Sequence, residues 1–191
     1  MPKDDANPPA GADPLGLQAL ADWLSRVGRS AQVVALSQVP WLDQGAAARD
    51  RHLVSLDRGP IGLLSLRAAG EAGPVTELHA LVWPTREAGH AALIRRSSGL
   101  FRRARADLRW KGDSLAVRLQ ADATLNEALS AMLEPGEDLR VDADPGREVV
   151  RVVLRRALRP PWGDGPQATL PLALLEALER VGRVVQRPSG G

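Results

Sequence analysis

The short connections between consecutive apolar segments constrain this chain more than any other feature of its sequence. Four segments with strand-like sequences are separated by short connections that contain Gly and Pro, namely Ala31–Val39, His52–Leu56, Ile61–Arg67 and Val75–Trp83. Connections of this length cannot carry the chain across a sheet to make parallel pairs. The pattern therefore predicts an antiparallel meander.

Two further hairpins extend the predicted sheet. The predicted pairs are residues 106–110 with 115–119, and residues 139–141 with 149–154. Lys111-Gly112-Asp113 would form the first turn, and a Pro-Gly pair after Asp144 would form the second. Residues 84–105 show no clear pattern beyond a short strand near His90–Ile94.

Helical spacing of apolar residues predicts amphipathic helices beside these strands. One covers residues 14–28, an internal one begins at a capping box formed by Thr124 and Glu127, and a C-terminal one is capped by Thr169. The order of elements has no regular βαβ alternation. It is typical of an α+β domain, in which helices pack on one face of a mainly antiparallel sheet.

The length of 191 residues and the apolar content of 44% indicate a single domain with its own core. We expect a disordered leader over residues 1–12, one α+β domain over 13–187 and a frayed tail over 188–191. No stretch approaches the roughly 20 apolar residues of a membrane-spanning helix. The polar, proline-rich N-terminus is not a secretory signal, so a cytoplasmic location is expected.

Several classes of chemistry lack their residues here. The chain has no cysteine, which excludes disulfides, thiolate metal sites and cysteine nucleophiles. It also has no phosphate-binding glycine loop and no Gly-x-Ser-x-Gly elbow. The three histidines, His52, His79 and His90, show no metal-ligand spacing. We therefore expect no metal and no cofactor.

The catalytic candidates are weak. Glu77 and His79 would share one face of a strand, but polar pairs of this kind are common on solvated sheet faces. Asp142, Asp144 and Glu148 could act as acid and base or hold a hard cation. The sequence after Asp144 is better explained by turn chemistry, in which the Asp side chain binds the local backbone. Enzymatic activity is thus uncertain, and a binding protein is the preferred interpretation.

Positive charge is concentrated in the middle of the chain. Residues 86–118 carry nine Lys and Arg against three Asp and Glu, a net charge of +6, whereas the whole chain carries +2. A GC-rich coding bias would explain the abundance of arginine but not its clustering. The predicted partner-binding residues are Arg95, Arg96, Arg102, Arg103, Arg105, Arg109, Lys111 and Arg118.

Strand parity predicts where these charges point. If Leu108 and Trp110 are buried, Arg109 and Arg118 lie on the outer face of the sheet, together with Arg140. Guanidinium groups pair bidentately with carboxylates and phosphates. We therefore predict a non-catalytic accessory protein that binds an acidic protein partner. A nucleic acid is the alternative ligand, although stacking residues are scarce. An enzyme of unknown class is the third interpretation of the function, and a plain solvated surface is the other interpretation of the basic segment itself.

Overall fold

Four α-helices and eight β-strands form the described part of the chain, which comprises residues 15–39, 51–69, 74–82, 88–96, 107–163 and 168–187 of a computed structural model. The helices are α1 (Leu17–Arg26), α2 (Ser114–Ala121), α3 (Ala123–Met132) and α4 (Leu172–Gln186). The strands are β1 (Ala31–Val34), β2 (Arg51–Leu56), β3 (Ile61–Ala68), β4 (Val75–Val82), β5 (Gly89–Arg96), β6 (Asp107–Gly112), β7 (Asp138–Asp144) and β8 (Val149–Leu158). The predicted α+β class is confirmed. The predicted leader and tail lie outside the described residues.

All eight strands belong to one antiparallel sheet, in the order β1-β2-β3-β4-β8-β7-β5-β6. β1 to β4 pair consecutively, which confirms the predicted meander. The predicted hairpin of β7 and β8 is also present, and its two strands lie between β4 and β5. This insertion joins the two halves of the sheet, and among the described strands β1 and β6 form its edges.

The prediction of a strand over residues 115–119 is wrong, because this segment is helix α2. A strand would place Leu115, Val117 and Leu119 on one buried face, but Val117 is 71% exposed. Buried Leu115, Ala116 and Leu119 instead have helical spacing. Asp113 caps the helix, because its Oδ1 accepts the Leu115 N–H at 2.9 Å.

Two predicted helix caps are also wrong. Helix α3 begins one residue after Asp122, whose Oδ1 accepts the Leu125 N–H at 3.0 Å, so Thr124 lies inside the helix. Helix α4 begins after Pro171. The Thr169 hydroxyl instead donates to the Arg159 carbonyl at 2.7 Å and accepts the Arg159 N–H at 2.9 Å. In each case another residue, Asp122 or Pro171, occupies the N-cap position.

The main core lies between the four helices and one face of the sheet. Leu24 from α1 and Leu174, Leu178 and Val181 from α4 are buried there, while Leu17 is half-buried. The opposite face, called here the outer face, carries a small apolar cluster under residues 34–39. None of the described helices is long and apolar enough to cross a bilayer.

Candidate functional site: the outer face of the sheet

The outer face carries a continuous network of charged side chains. Alternation along each strand directs Arg67 on β3, Glu77 on β4, Arg155 on β8 and Asp138 on β7 to this face, in neighbouring register positions. Glu77 lies 3.7 Å from Arg67 and 3.2 Å from Arg155. Asp138 lies 3.8 Å from Arg155 and 2.9 Å from Arg140. Positive and negative groups alternate across four strands and neutralise one another.

His79 and Glu77 form the predicted pair within this network. Their strand assignment is confirmed, and His79 Nε2 lies 3.2 Å from Glu77 Oε2. Burial alone would raise the pKa of Glu77, but the hydrogen bond with His79 and the nearby positive charges outweigh it. The pKa of Glu77 therefore lies below its usual value. A carboxylate held in its ionised form by several partners is suited to structural pairing rather than to proton transfer at neutral pH.

A second histidine–carboxylate pair lies further along the outer face. His90 Nδ1 and Asp142 Oδ1 are 2.6 Å apart, and both side chains are about half exposed. The His90 backbone N–H also donates to Asp113 Oδ2 at 2.8 Å. Asp144 plays the predicted turn role, because its Oδ1 accepts the Gly146 N–H at 2.9 Å. Among the described residues, no group of three or more His, Asp or Glu side chains has the arrangement of a metal site.

The structure places the predicted partner-binding residues in different settings. Arg109 and Lys111 are exposed on β6, and Leu108 and Trp110 between them are buried, so the predicted parity of this strand is confirmed. The backbones of Arg95 and Arg96 belong to β5, opposite Leu108 and Asp107. Three of the predicted residues, Arg102, Arg103 and Arg105, lie outside the described part of the chain.

Arg118 is not on the outer face, because its segment is helix α2 on the opposite side of the sheet. Its Nη2 donates to the backbone carbonyls of Val184, Val185 and Arg187 at the end of α4. Terminal helix carbonyls lack partners within the helix, and a cationic side chain near them is favourable. The geometry thus gives Arg118 a structural role between the two helices.

Exposed basic residues on β6 adjoin half-buried apolar ones on β5. Arg109 is opposite Ile94 in the register, and Lys111 is opposite Ala92. Both apolar residues are only partly covered. We call this part of the outer face, formed by these four residues, the basic end. It combines an apolar floor with cationic groups beside it.

A groove that was not predicted from the sequence lies beside the basic end, between β6 and α2. Its walls include Trp110, Ala116, Val117 and Gln120. The sequence signal for this groove is Asp113. Asp is a common N-cap residue, so its place directly after Gly112 indicates that a helix begins where β6 ends. A Cβ atom on Gly112 would lie 2.0 Å from the His90 carbonyl oxygen, so only glycine permits this close approach where β6 ends.

Comparison of the chain with protein families, with curated proteins and with solved structures gave no match. Function is therefore inferred from the chemistry of the site.

Proposed function

We propose that the protein is a non-catalytic accessory protein that binds an acidic segment of a partner protein through the basic end. The single observation that carries this proposal is the composition of the basic end, where two cationic side chains lie beside two half-buried apolar ones. On β6, Arg109 and Lys111 are exposed beside an apolar floor.

The arginine-rich segment adds to this charge. Arg95, Arg96, Arg102, Arg103 and Arg105 precede β6 closely in the sequence. A partner with several carboxylates would be attracted to such a cluster, and guanidinium groups would then hold the carboxylates bidentately. Apolar contacts with Ala92 and Ile94 would add affinity that salt does not screen.

A protein partner explains the surface better than a nucleic acid does. Binders of single strands stack bases on exposed aromatic rings. Within the described residues, Trp23 and Trp110 are buried and Trp162 is half-buried. Trp110 also belongs to the helix side of the sheet. The described outer face thus offers cationic groups without a stacking platform.

Charge reversal at the basic end tests the proposal. The variant Arg109→Glu with Lys111→Glu is compared with Arg147→Glu with Arg159→Glu, which makes the same change in net charge at exposed positions elsewhere. The probes are a fluorescent peptide of mixed Asp, Glu and Leu and a DNA duplex, each titrated at several salt concentrations.

We expect the first variant to lose at least about tenfold in affinity for the acidic peptide, which corresponds to about 1.4 kcal/mol. The control should keep most of its affinity, and both variants should melt within a few degrees of the parent. Preferential binding of DNA, with a log–log salt slope near −0.9 per phosphate, would instead establish the nucleic-acid function. No binding of either probe would refute a role for the basic end.

A further inference from the structure

The groove between β6 and α2 lies at an edge of the sheet. It has a volume of about 710 Å³ and is lined by Trp110, Lys111, Ala116, Val117, Gln120 and other residues of the same two elements. We call it the edge groove. Grooves between an edge strand and a helix can accept an extended peptide as an additional strand, whose backbone pairs with the edge.

The backbone of β6 presents hydrogen-bonding groups to this groove. The Trp110 N–H donates to Gln120 Oε1 at 3.0 Å, so it points away from β5. In an antiparallel strand the N–H and C=O of one residue point to the same side, and the direction alternates along the strand. Leu108 and Trp110 therefore direct their backbone groups toward the edge. The Gln120 side chain occupies the position that a carbonyl of an added strand would take.

An exposed apolar side chain lies beside these backbone groups. Val117 on α2 is 71% exposed, whereas its helix neighbours Ala116 and Leu119 are buried. An exposed valine can still gain free energy by burial, at about 25 cal/mol per Å² of apolar area. It lines the edge groove, so a side chain from an added strand would reach it.

At the opposite edge of the sheet, the first residue of β1 is bonded to a side chain of α1. On β1, the Ala31 N–H donates to Ser25 Oγ at 3.0 Å, and the Ser25 hydroxyl donates to the Ala31 carbonyl at 3.3 Å. After the strand, the Ala35 N–H donates to Gln38 Oε1 at 2.9 Å. Such protection of an edge strand is common. A side chain therefore holds a backbone N–H at each edge, and the edge groove with Val117 in its wall lies at β6.

We propose that an extended, acidic segment of a partner protein adds to β6 as a ninth strand and fills the edge groove. The acidic character of this partner segment rests on the proposed function, in which the cationic side chains of Arg109 and Lys111 on one side of β6 bind carboxylates. Side chains of the added strand would alternate between the two sides. Those beside Arg109 and Lys111 would be acidic, and those over the groove near Val117 would be apolar.

Charge argues against a second copy of this chain as the occupant. Two β6 strands paired edge to edge would bring the Arg109 and Lys111 side chains of both copies together. Like charges on paired strands are destabilising. An acidic partner removes this repulsion, so it fits the edge better than the chain itself does.

The probe is a short peptide of alternating glutamate and valine, blocked at both ends. A first control peptide has the same composition in block order, with all glutamates before the valines. A second control keeps the alternating order but carries N-methyl groups on the residues that would pair with β6. Binding is measured by fluorescence anisotropy, and strand addition by amide hydrogen exchange at Leu108 and Trp110.

We expect the alternating peptide to bind at least about tenfold more tightly than either control. It should also slow exchange at both amides. If the three peptides bind equally and the exchange is unchanged, strand addition is wrong, while the proposed function stands. If no acidic peptide binds, or if reversal of Arg109 and Lys111 leaves binding unchanged, the proposed function is wrong and strand addition is wrong with it.

Two protein variants probe the groove without changing its charge. Val117→Ser should weaken binding of the alternating peptide about fivefold, since it removes the apolar contact at an exposed position. The matched control is Val33→Ser, a partly exposed valine on β1, which should leave binding unchanged. Gln120→Ala should strengthen binding about threefold, because the side chain no longer competes for the Trp110 N–H. Weaker binding in Gln120→Ala, or equal binding in Val117→Ser and Val33→Ser, would overturn the assignment of the groove.

Discussion

Arg29, in the loop after α1, donates two hydrogen bonds to Glu179 on α4. The Nε–Oε1 distance is 2.5 Å and the Nη2–Oε2 distance is 2.9 Å. The Glu179 side chain is only 2% exposed. A Cβ atom on Gly59 would lie 3.2 Å from Oε1, so the turn between β2 and β3 also packs against the pair. Three segments that are distant in sequence meet at this buried charge.

Loss of Arg29 should therefore be costly. Arg29→Ala leaves the Glu179 carboxylate buried without its main partner, and we expect the free energy of unfolding to fall by about 3–5 kcal/mol. Arg183→Ala is the matched control, because Arg183 is half exposed and lies 3.9 Å from Glu179. This control should cost less than about 1 kcal/mol. Urea denaturation measures both changes, and equal losses in the two variants would contradict the prediction.

The packing of α4 on the sheet can be tested at Leu178, which is fully buried. Leu178→Ala should lower the free energy of unfolding by about 2–5 kcal/mol, the range found when a buried leucine is truncated. Val117→Ala, at an exposed position of α2, should change it by less than about 0.5 kcal/mol. A loss below about 1 kcal/mol in Leu178→Ala would contradict the role of this residue in the core.

The lowered pKa of Glu77 makes its contribution to stability depend on pH. At neutral pH the carboxylate is ionised and hydrogen-bonded, so Glu77→Gln should lower the free energy of unfolding by about 1–2 kcal/mol. The pKa of Glu77 is lower in the folded state than in the unfolded state. Between these two pKa values the folded protein therefore binds fewer protons than the unfolded chain does. The stabilisation by the Glu77 carboxylate is fully present above the pKa that this group has in the unfolded chain. It is lost as pH falls through the pKa of the folded state.

The measurement is urea denaturation of the parent and Glu77→Gln from neutral pH down to acid. The difference between them should be constant above about pH 5 and should shrink below pH 4 or so, near the usual range for glutamate. A difference that grows on acidification would show that the sign of the pKa shift is wrong.

The arginine-rich segment before β6 should contribute to binding and not to stability. Reversal of Arg102, Arg103 and Arg105 to glutamate should leave the melting temperature within a few degrees. It should abolish capture of the acidic peptide, because three attractive charges become repulsive. Calorimetry and anisotropy provide the two measurements. An unfolded variant would show that these arginines are structural, and unchanged binding would show that they are only solvated.

The sequence predicted the elements with local signals and failed where the signal was ambiguous. Alternation and short turns were sufficient for the meander of β1 to β4 and for the β7–β8 hairpin. Leu115, Val117 and Leu119 alternate as a strand would, yet the segment is a helix that buries Leu115, Ala116 and Leu119 and leaves Val117 exposed. With Asp, Ser and Thr close together near residues 113 and 124, several positions could cap a helix, and spacing alone did not choose between them.

The candidate site was less predictable than the fold, because it depends on which strands are neighbours. Arg155 contacts Glu77 only because β8 pairs with β4, more than 60 residues away in the chain. Local patterns carry no information on that pairing. The edge groove depends in turn on the orientation of α2, which was not identified. The exposed position of Arg109 was predicted correctly, since parity within one strand is a local property. Lys111, which was predicted in a turn, instead belongs to β6.

The position of β8 in the sheet order has a consequence for synthesis of the protein. When the chain has emerged from the ribosome only as far as α3, β4 and β5 have no neighbour between them, because β7 and β8 are not yet made. Both strands then present unpaired backbone and apolar side chains, the condition that leads to aggregation. The meander can form early from local contacts, but the sheet closes only when the last hairpin inserts. The nascent chain is therefore most prone to aggregation during this interval.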